Sequence, residues 1–570
     1  MAGKVDCTII VDVEEIHLDK VSHVSVVQRM DSHHTFEFRL KLDDASSHTF
    51  TGEVGKYLGK KATVRINFAP QTAESKDFSF EGIVTDAGFS RSQGGSPELT
   101  VSGHSSTFML DDGNRNRSFS EKSLKQVVDE VCDTAQVASL KTVVKPKHGD
   151  KLPYVVQYEE SDYHFLGRMA ARYGEWFFHD GTSMIFGKPP SAGEPEKLVF
   201  GENLFSFDIS LAVRRNTFEL KHWDHTNNEL LTADQSRGDP FTLDDNEYGK
   251  LLKTPAKDLF KPGVMSMVGN AADKSDLDMR AGARKRGIGA NSVILRGVSD
   301  NARLRPGKHV KVSGQVAKGN STSMNEYGVF LVVSVSHSSS NGNYQNHFEA
   351  IPNESQMVPI GRNLRQPVSD PQVALVKEVD DPDKLGRVRV QFLWQRGGPE
   401  LTPWIRVLSG HANSKGGSYL IPEVGDEVLV DFEFNEPEQP FVAGSLYTGS
   451  GKPDAAWADA YNDVKAFRTK GGNEVVITDM VGKESVTVRN KDGKNEVTLA
   501  LGGEPSIVIK TDGKLTLDAK TLVLKCQELE VEAQTSGTIK TNTQLDISSA
   551  SLKIDGSALV EVKGGLIKLN

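Results

Sequence analysis

Several short stretches of this 570-residue chain approach reactive patterns, and each stops short of one. "GSLYTGS", from Gly444 to Ser450, has the glycines and hydroxyls of a phosphate loop but lacks its lysine, and "GIGANS", Gly287 to Ser292, lacks the last glycine. Both read as turns. There is no HExxH and no GxSxG, so neither a metalloprotease site nor a nucleophile elbow is indicated. The 15 histidines scatter: His33 and His34 adjoin, while His17, His23, His104 and His164 stand apart, and a metal centre needs three or four converging ligands. "HDG", His179 to Gly181, reads as a hairpin turn. "RAGARKRG", with Arg280, Arg284, Lys285 and Arg286, could touch phosphate but reads better as a solvated helix end. Cys7, Cys132 and Cys526 are odd in number and widely spaced, which indicates neither a disulfide framework nor a zinc site. The expectation is a chain that is not an enzyme, with no catalytic, cofactor-binding or metal-ligating residues and no cofactor.

One further stretch carries positive charge beside aromatic rings. In "DKLGRVRVQFLW", Asp383 to Trp394, Arg387 and Arg389 alternate with Val388 and Val390 and lead into Phe392 and Trp394. Single-strand nucleic-acid grooves use this mixture, and so does a half-buried strand. A formal net charge of -10 disfavours general affinity for phosphate. The strand reading puts Val388, Val390 and Phe392 on one face and Arg387, Arg389 and Gln391 on the other, with Gly386 at the turn before them. A neighbouring subunit's carboxylate is the expected partner of the two arginines.

These residues must be held by elements that are mostly strands. Up to about His104 the text runs in short alternating segments such as "HVSVVQRM", "TFEFRLKL" and "ATVRINF", an antiparallel pattern. A helical insert follows, with Ser120 as cap of "EKSLKQVVDEVCDTA" and Ser161 as cap of a helix that ends at Gly174, then a hairpin over Asp180 and Gly181. Strands resume with one helical interruption near "DKSDLDMRAGARKRG", and "RNLRQPVSDP" reads as a linker. The division expected is 1–110 first barrel, 111–199 α/β insert, 200–366 second barrel, 367–452 small barrel module and 453–570 stalk.

The stalk is of a different kind. "NEVVITD", "ESVTVRN", "PSIVIKTDG", "KLTLDAK", "TLVLKCQ", "SLKIDG" and "ALVEVKG" are alternating units with a polar joint every seven to nine residues or so. Each offers a few apolar side chains, such as Leu515 and Leu517 or Leu552 and Ile554, too few to close a core in one copy. Three copies wound together would meet on one axis as a triple-stranded β-prism of about thirteen layers, roughly 60 Å long. A soluble, cytoplasmically made homotrimer is expected, since no signal peptide or long apolar run occurs.

At Asp383 the text resembles a known family. Leu385-Gly386-Arg387-Val388, Trp404-Ile405-Arg406-Val407, Ile421-Pro422-Glu423-Val424-Gly425-Asp426 and Pro440-Phe441-Val442-Ala443-Gly444-Ser445 occur in order and resemble the OB-fold module of VgrG proteins, spikes of type VI secretion and related contractile injection systems. "YEESDYHFLGRMAARYGEWFFHDG" is similar to the family's hub segment. The resemblance implies a mainly β fold: hub β-barrels with a small α/β insert, an OB-fold barrel, and a C-terminal intertwined triple-stranded β-helix. The OB motif residues it marks are Gly386, Arg387, Trp404, Pro422, Gly425, Asp426 and Gly444. It implies a homotrimeric structural spike, loaded in the cytoplasm and fired through the target envelope. The implied partners are an Hcp-like hexameric tube protein at the hub base, baseplate proteins, effector cargo and a PAAR-like tip protein. The tip protein would be met by Leu566, Ile567, Leu569 and Asn570. No nucleic acid is expected, and membranes are crossed mechanically. The alternatives are a carbohydrate-cleaving tail protein and an OB-fold nucleic-acid-binding protein.

Overall fold

A computed structural model describes residues 7–18, 21–42, 54–68, 78–91, 93, 96–135, 140–187, 193–215, 217–234, 246–260, 265–318, 321–340, 343–355 and 364–568. The chain divides into two compact units, Met1–Lys452 and Pro453–Asn570.

In the first unit thirteen strands form one continuous sheet. Its N-terminal part contains the strands from Cys7–Val13 to Glu98–His104, and alternation decides which side chains go inside: Val24, Val26, Phe36, Phe38, Val64, Phe80, Leu99 and Val101 are buried while their neighbours face out. The later strands, from Glu196–Phe200 to Asn343–Pro352, close into a ring because Ser321–Ser340 pairs with both His309–Lys318 and Asn343–Pro352. The same twenty-residue strand also pairs with Val21–Arg29, Ser334 opposite Arg29 and Ser340 opposite His23. The two parts therefore share a hydrogen-bonded seam, and the first strand of the ring in chain order is Glu196–Phe200.

Between them lie helix α1 (Leu124–Thr134) and helix α2 (Asp162–Tyr173). The α1 cap is Ser123, not Ser120. Ser120 sits opposite Tyr154 in the ladder Arg115–Ser123/Lys151–Glu160, so the strand uses residues up to Ser123 before the helix can start. Ser123 then forms a capping box with Gln126, whose Oε1 accepts the Ser123 N–H at 2.9 Å. Ser161 caps α2 as expected, and Gly174 ends it with φ +68°, the left-handed state glycine adopts without cost. The hairpin over Asp180–Gly181 also forms, Trp176 opposite Gly187.

Helix α3 (Glu247–Leu259), beyond the one helical interruption expected here, forms although it holds Pro255 inside it. Asn246 nucleates it by accepting from the N–H groups of Tyr248 and Gly249, and Tyr248 anchors it by donating to the Tyr327 carbonyl at 2.8 Å. Helix α4 (Lys274–Ala290) is the expected interruption but runs past the basic cluster, which lies in its body and not at a solvated end. Arg280 pairs with Asp276 at 2.8 Å, and Arg284 lies over the Phe218 ring at 4.7 Å.

The module after the 364–371 connection has four antiparallel strands in the order Arg389–Phe392, Gln372–Glu378, Glu427–Phe432, Pro440–Ser445, over a core of Val376, Val388, Val390, Phe392, Val428, Val430 and Val442.

The second unit opens with a five-stranded antiparallel meander from Val464–Arg468 to Ser506–Lys510. Glu474 pins three of its strands, accepting from Arg468 Nε at 2.7 Å and Arg489 Nε at 2.5 Å. From Asp512 to Lys568 every residue is exposed and no strand ladder forms among the described residues of the chain itself.

Candidate functional site

"DKLGRVRV" is held by one carboxylate. Asp381 accepts from the backbone N–H groups of Asp383, Leu385 and Arg387 at 3.1, 2.8 and 3.2 Å, and from Arg387 Nη2 at 2.7 Å. Its hydrogen bond to Arg387 outweighs the cost of burial and holds its pKa well below the ordinary carboxylate value. The chain folds around this group through Gly386, with φ +74°, so the regular strand is only Arg389–Phe392 and Val388 makes a single bridge to Ile405. Val388, Val390 and Phe392 are buried, as alternation requires. Within the chain, Arg387 pairs with Asp381 and Asp383, and Arg389 with Glu378.

The other marked positions surround the same barrel. Pro422 is buried and Trp404 half-buried. Gly425, φ +99°, donates to the Val376 carbonyl at 2.9 Å, and the Asp426 side chain accepts from the Glu423 N–H at 2.9 Å. Gly444 lies opposite Leu429. In the second unit Leu566 and Ile567 are exposed, whereas Leu569 and Asn570 fall outside the described residues.

A dense electrostatic site lies where this module meets the helical insert, and its central residue was not singled out from sequence. Glu438, in the loop "NEPEQP", is buried among groups distant in the chain. Arg172 Nη1 donates to both its oxygens at 3.0 and 2.7 Å, Arg168 Nη1 donates at 3.4 Å, the Val156 N–H at 3.4 Å, and the Asn270 amide also donates. Burial alone would raise the Glu438 pKa, but Arg172 and Arg168 overcome it and hold it below the ordinary glutamate value. Arg168 continues to Glu160 at 2.5 Å, and Asn270 to Arg280, which pairs with Asp276. The formal charges of Glu160, Arg168, Arg172, Glu438, Arg280 and Asp276 cancel, which is how buried ions are tolerated. The "ESD" of the hub segment is part of the same lock: Glu160 binds Arg168, Ser161 caps α2, and buried Asp162 takes Arg117 and Gln157.

A second joint contact comes from the aromatic end of the opening stretch. Gln395 donates to Ser118 Oγ at 2.7 Å, and Trp394 stacks on Phe392 with centroids 5.4 Å apart while its indole N–H meets Gln372. These contacts tie the module to the insert. The signal for Glu438 was absent because a glutamate between prolines in a polar loop reads as solvated.

The histidines also differ from expectation. His33, His34, His104, His164 and His179 converge where the N-terminal sheet meets the insert, with ring contacts of 5.0 Å between His34 and His179. No group of three or more His, Cys, Asp or Glu among the described residues is arranged to hold a metal ion. Burial pushes the Cys132 thiol up to about 12, while Cys526 is exposed.

Comparison with known proteins gives this geometry a family. The Phage tail baseplate hub (GPD) model matches residues 32–343, and the Type VI secretion system/phage-baseplate injector OB domain model matches residues 372–447. The type VI secretion system spike protein VgrG4b of Pseudomonas aeruginosa is 28% identical over 415 residues, covering 66% of this chain and 50% of the relative. The actin cross-linking toxin VgrG1 of Vibrio cholerae is 28% identical over 243 residues, covering 40% of this chain and 19% of that protein. The chain thus spans about half the length, or less, of these curated relatives. Among solved structures, a Francisella PdpA-VgrG complex in its lidded form aligns with a TM-score of 0.56 at 8% identity, over 90% of this chain and 81% of that one, a likeness of fold. With a hub model matching more than half of its length and the injector OB domain following directly, the chain belongs to the phage tail baseplate hub family.

Proposed function

We propose that the chain is a non-enzymatic, homotrimeric spike of a type VI-like contractile injection apparatus, in which residues 453–570 of three copies wind into a β-prism. The observation that carries this reading is the segment Asp512–Lys568: it alternates apolar and polar residues, yet Leu515, Leu517, Leu524, Val531, Ile539, Ile547, Leu552, Ile554 and Val562 are all exposed in one chain. So much aliphatic surface requires a covering layer, and the units are too short for any layer but other copies of themselves. The rigid Glu438 joint suits a part that transmits axial load. The spike designation of relatives such as VgrG4b supports the same reading.

On this reading the hub seats on an Hcp-like tube hexamer and baseplate proteins, a PAAR-like protein covers the end near Leu566 and Ile567, and effectors ride on the particle. The spike is assembled in the cytoplasm and leaves the cell on firing. Light scattering of the purified chain is expected to give three times 62.3 kDa, with resistance to hot detergent because interwound strands separate together. A monomer at micromolar concentration overturns the proposal.

A further inference from the structure

The convergence of five histidines on one seam is the feature of the first unit that neither load transfer nor assembly explains. They come from four elements. His33 and His34 occupy the turn after Val21–Arg29, His104 ends Glu98–His104, His164 lies in the first turn of α2, and His179 ends the strand that follows it. Backbone groups tie the seam together: the Ser105 N–H donates to the His34 carbonyl at 2.9 Å, the His34 N–H to Ser105 Oγ at 3.1 Å, and the Glu81 N–H, in the neighbouring strand Phe78–Ser90, to the Gly181 carbonyl at 3.4 Å.

The seam has two chemically different ends. At the inner end His34 and His179 are buried, their rings edge to face at 5.0 Å, with Phe80 on the far side of His34. Neither ring touches a carboxylate. His179 Nδ1 accepts the Gly181 N–H at 3.2 Å, His34 Nδ1 meets Gln28 at 3.4 Å, and His34 Nε2 is buried without a hydrogen-bond partner. A proton on His179 Nδ1 would remove the acceptor that holds Gly181, and two imidazolium rings at this distance would repel each other in a dry site. At the outer end one carboxylate serves two rings: Asp111 lies 3.3 Å from His33 Nε2 and 3.3 Å from His164 Nδ1, with Thr107 on His33 Nδ1 and Tyr163 against the His33 ring. A proton on His33 Nε2 would face a carboxylate, as one on His34 or His179 would not, although burial still holds His33 below its ordinary value.

We propose that this seam is an acid-operated latch: protons force apart the inner His34/His179 end while Asp111 keeps hold of the outer end, so the helical insert swings from the N-terminal sheet as a hinged unit. The charged groups facing the inner rings are few. His179 faces Asp180, His33 and Glu81, the last already engaged by Lys61 and Lys141, and His34 faces His33 and His337. Asp31 stands beyond Tyr163. Burial accordingly lowers His179 to about 4 and depresses His34 well below its ordinary value, while at His33 burial is partly offset by Asp111. The sign follows. The open seam takes up protons below the ordinary histidine pKa of about 6.5 that the closed seam refuses, so closure is complete above that value and is lost as pH falls toward 4.

Amide hydrogen exchange on the full chain, corrected for the intrinsic rate at each pH, tests this. With two histidines each contributing about tenfold per unit, opening at Gly181, Glu81 and His34 is expected to rise about a hundredfold per pH unit below 6, while amides of Val390 and Val442 stay flat. His179→Phe should reduce that dependence to about tenfold per unit. Asp111→Asn should extend the acid opening to His33 and Thr107. A pH-independent seam, a His179→Phe slope equal to that of the unaltered chain, or an equal response at Val390 and Val442 would each overturn the latch. If a variant does not fold, the contrast between Gly181 and Val390 in the unaltered chain decides alone. None of these readouts depends on whether the chain forms a spike.

Discussion

Glu438 shows how much a single residue can carry when its partners lie 168 to 282 positions away in the chain. Replacing it by glutamine leaves Arg168 and Arg172 buried with one fewer counter-charge, a change expected to cost about 3–5 kcal/mol. In a denaturant titration of E438Q, the transition reported by Trp394 should separate from that of the insert, whereas the unaltered chain melts them together. Because the Glu438 pKa is depressed, its contribution is present in full above the ordinary glutamate pKa, about 4.3, and fades as pH falls through the folded value. Arg387 and Arg389 teach the complementary point. Their alternation with valine was legible, and so was the burial of Val388, Val390 and Phe392. The identity of their carboxylates was not legible, because Asp381, Asp383 and Glu378 became partners only once Gly386 had turned the chain back on them.

At the scale of elements, helix ends were the most readable features where cap and stop agreed. Ser161 and Gly174 bracket α2, and Gly174 also lets Arg286 approach: a Cβ there would lie 2.3 Å from Arg286 Nη2 and 3.2 Å from the Ala283 side chain. Gly174→Ala is therefore expected to destabilise the first unit by more than the ~1 kcal/mol of the left-handed backbone alone, measured as a lower midpoint in chemical unfolding. A loss no greater than the ~1 kcal/mol of the backbone alone would show that α4 can move away from α2. A cap misled where a strand competed for the same serine, at Ser120, and α3 forms in spite of its internal Pro255. In both cases local propensity was overridden by contacts made elsewhere: the Lys151–Glu160 ladder for Ser120, and the Tyr248 anchor on Tyr327 for α3.

For the whole molecule, the interwound stalk proposed for residues 453–570 makes a prediction about its end. Leu566 and Ile567 are exposed, and three copies would gather them into an apolar patch of the kind a capping partner buries. Truncation after Ser557 should leave the trimer mass unchanged in light scattering while abolishing capture of a PAAR-like partner; retained capture would place the cap elsewhere.

What the chain determined by its sequence alone was periodic. Strand alternation, turn residues and the short units of the stalk are local, since period-two patterning decides which side chains face a core whatever the core turns out to be. Tertiary structure decided everything that depends on which polar groups meet. The Glu438 joint joins an insert helix, a second helical region and a barrel loop, and the histidine seam joins four elements. A charged or titratable residue carries no mark of burial in its neighbours along the chain. Its fate is set by the desolvation it suffers and the partners the fold supplies, and both exist only after the elements have packed.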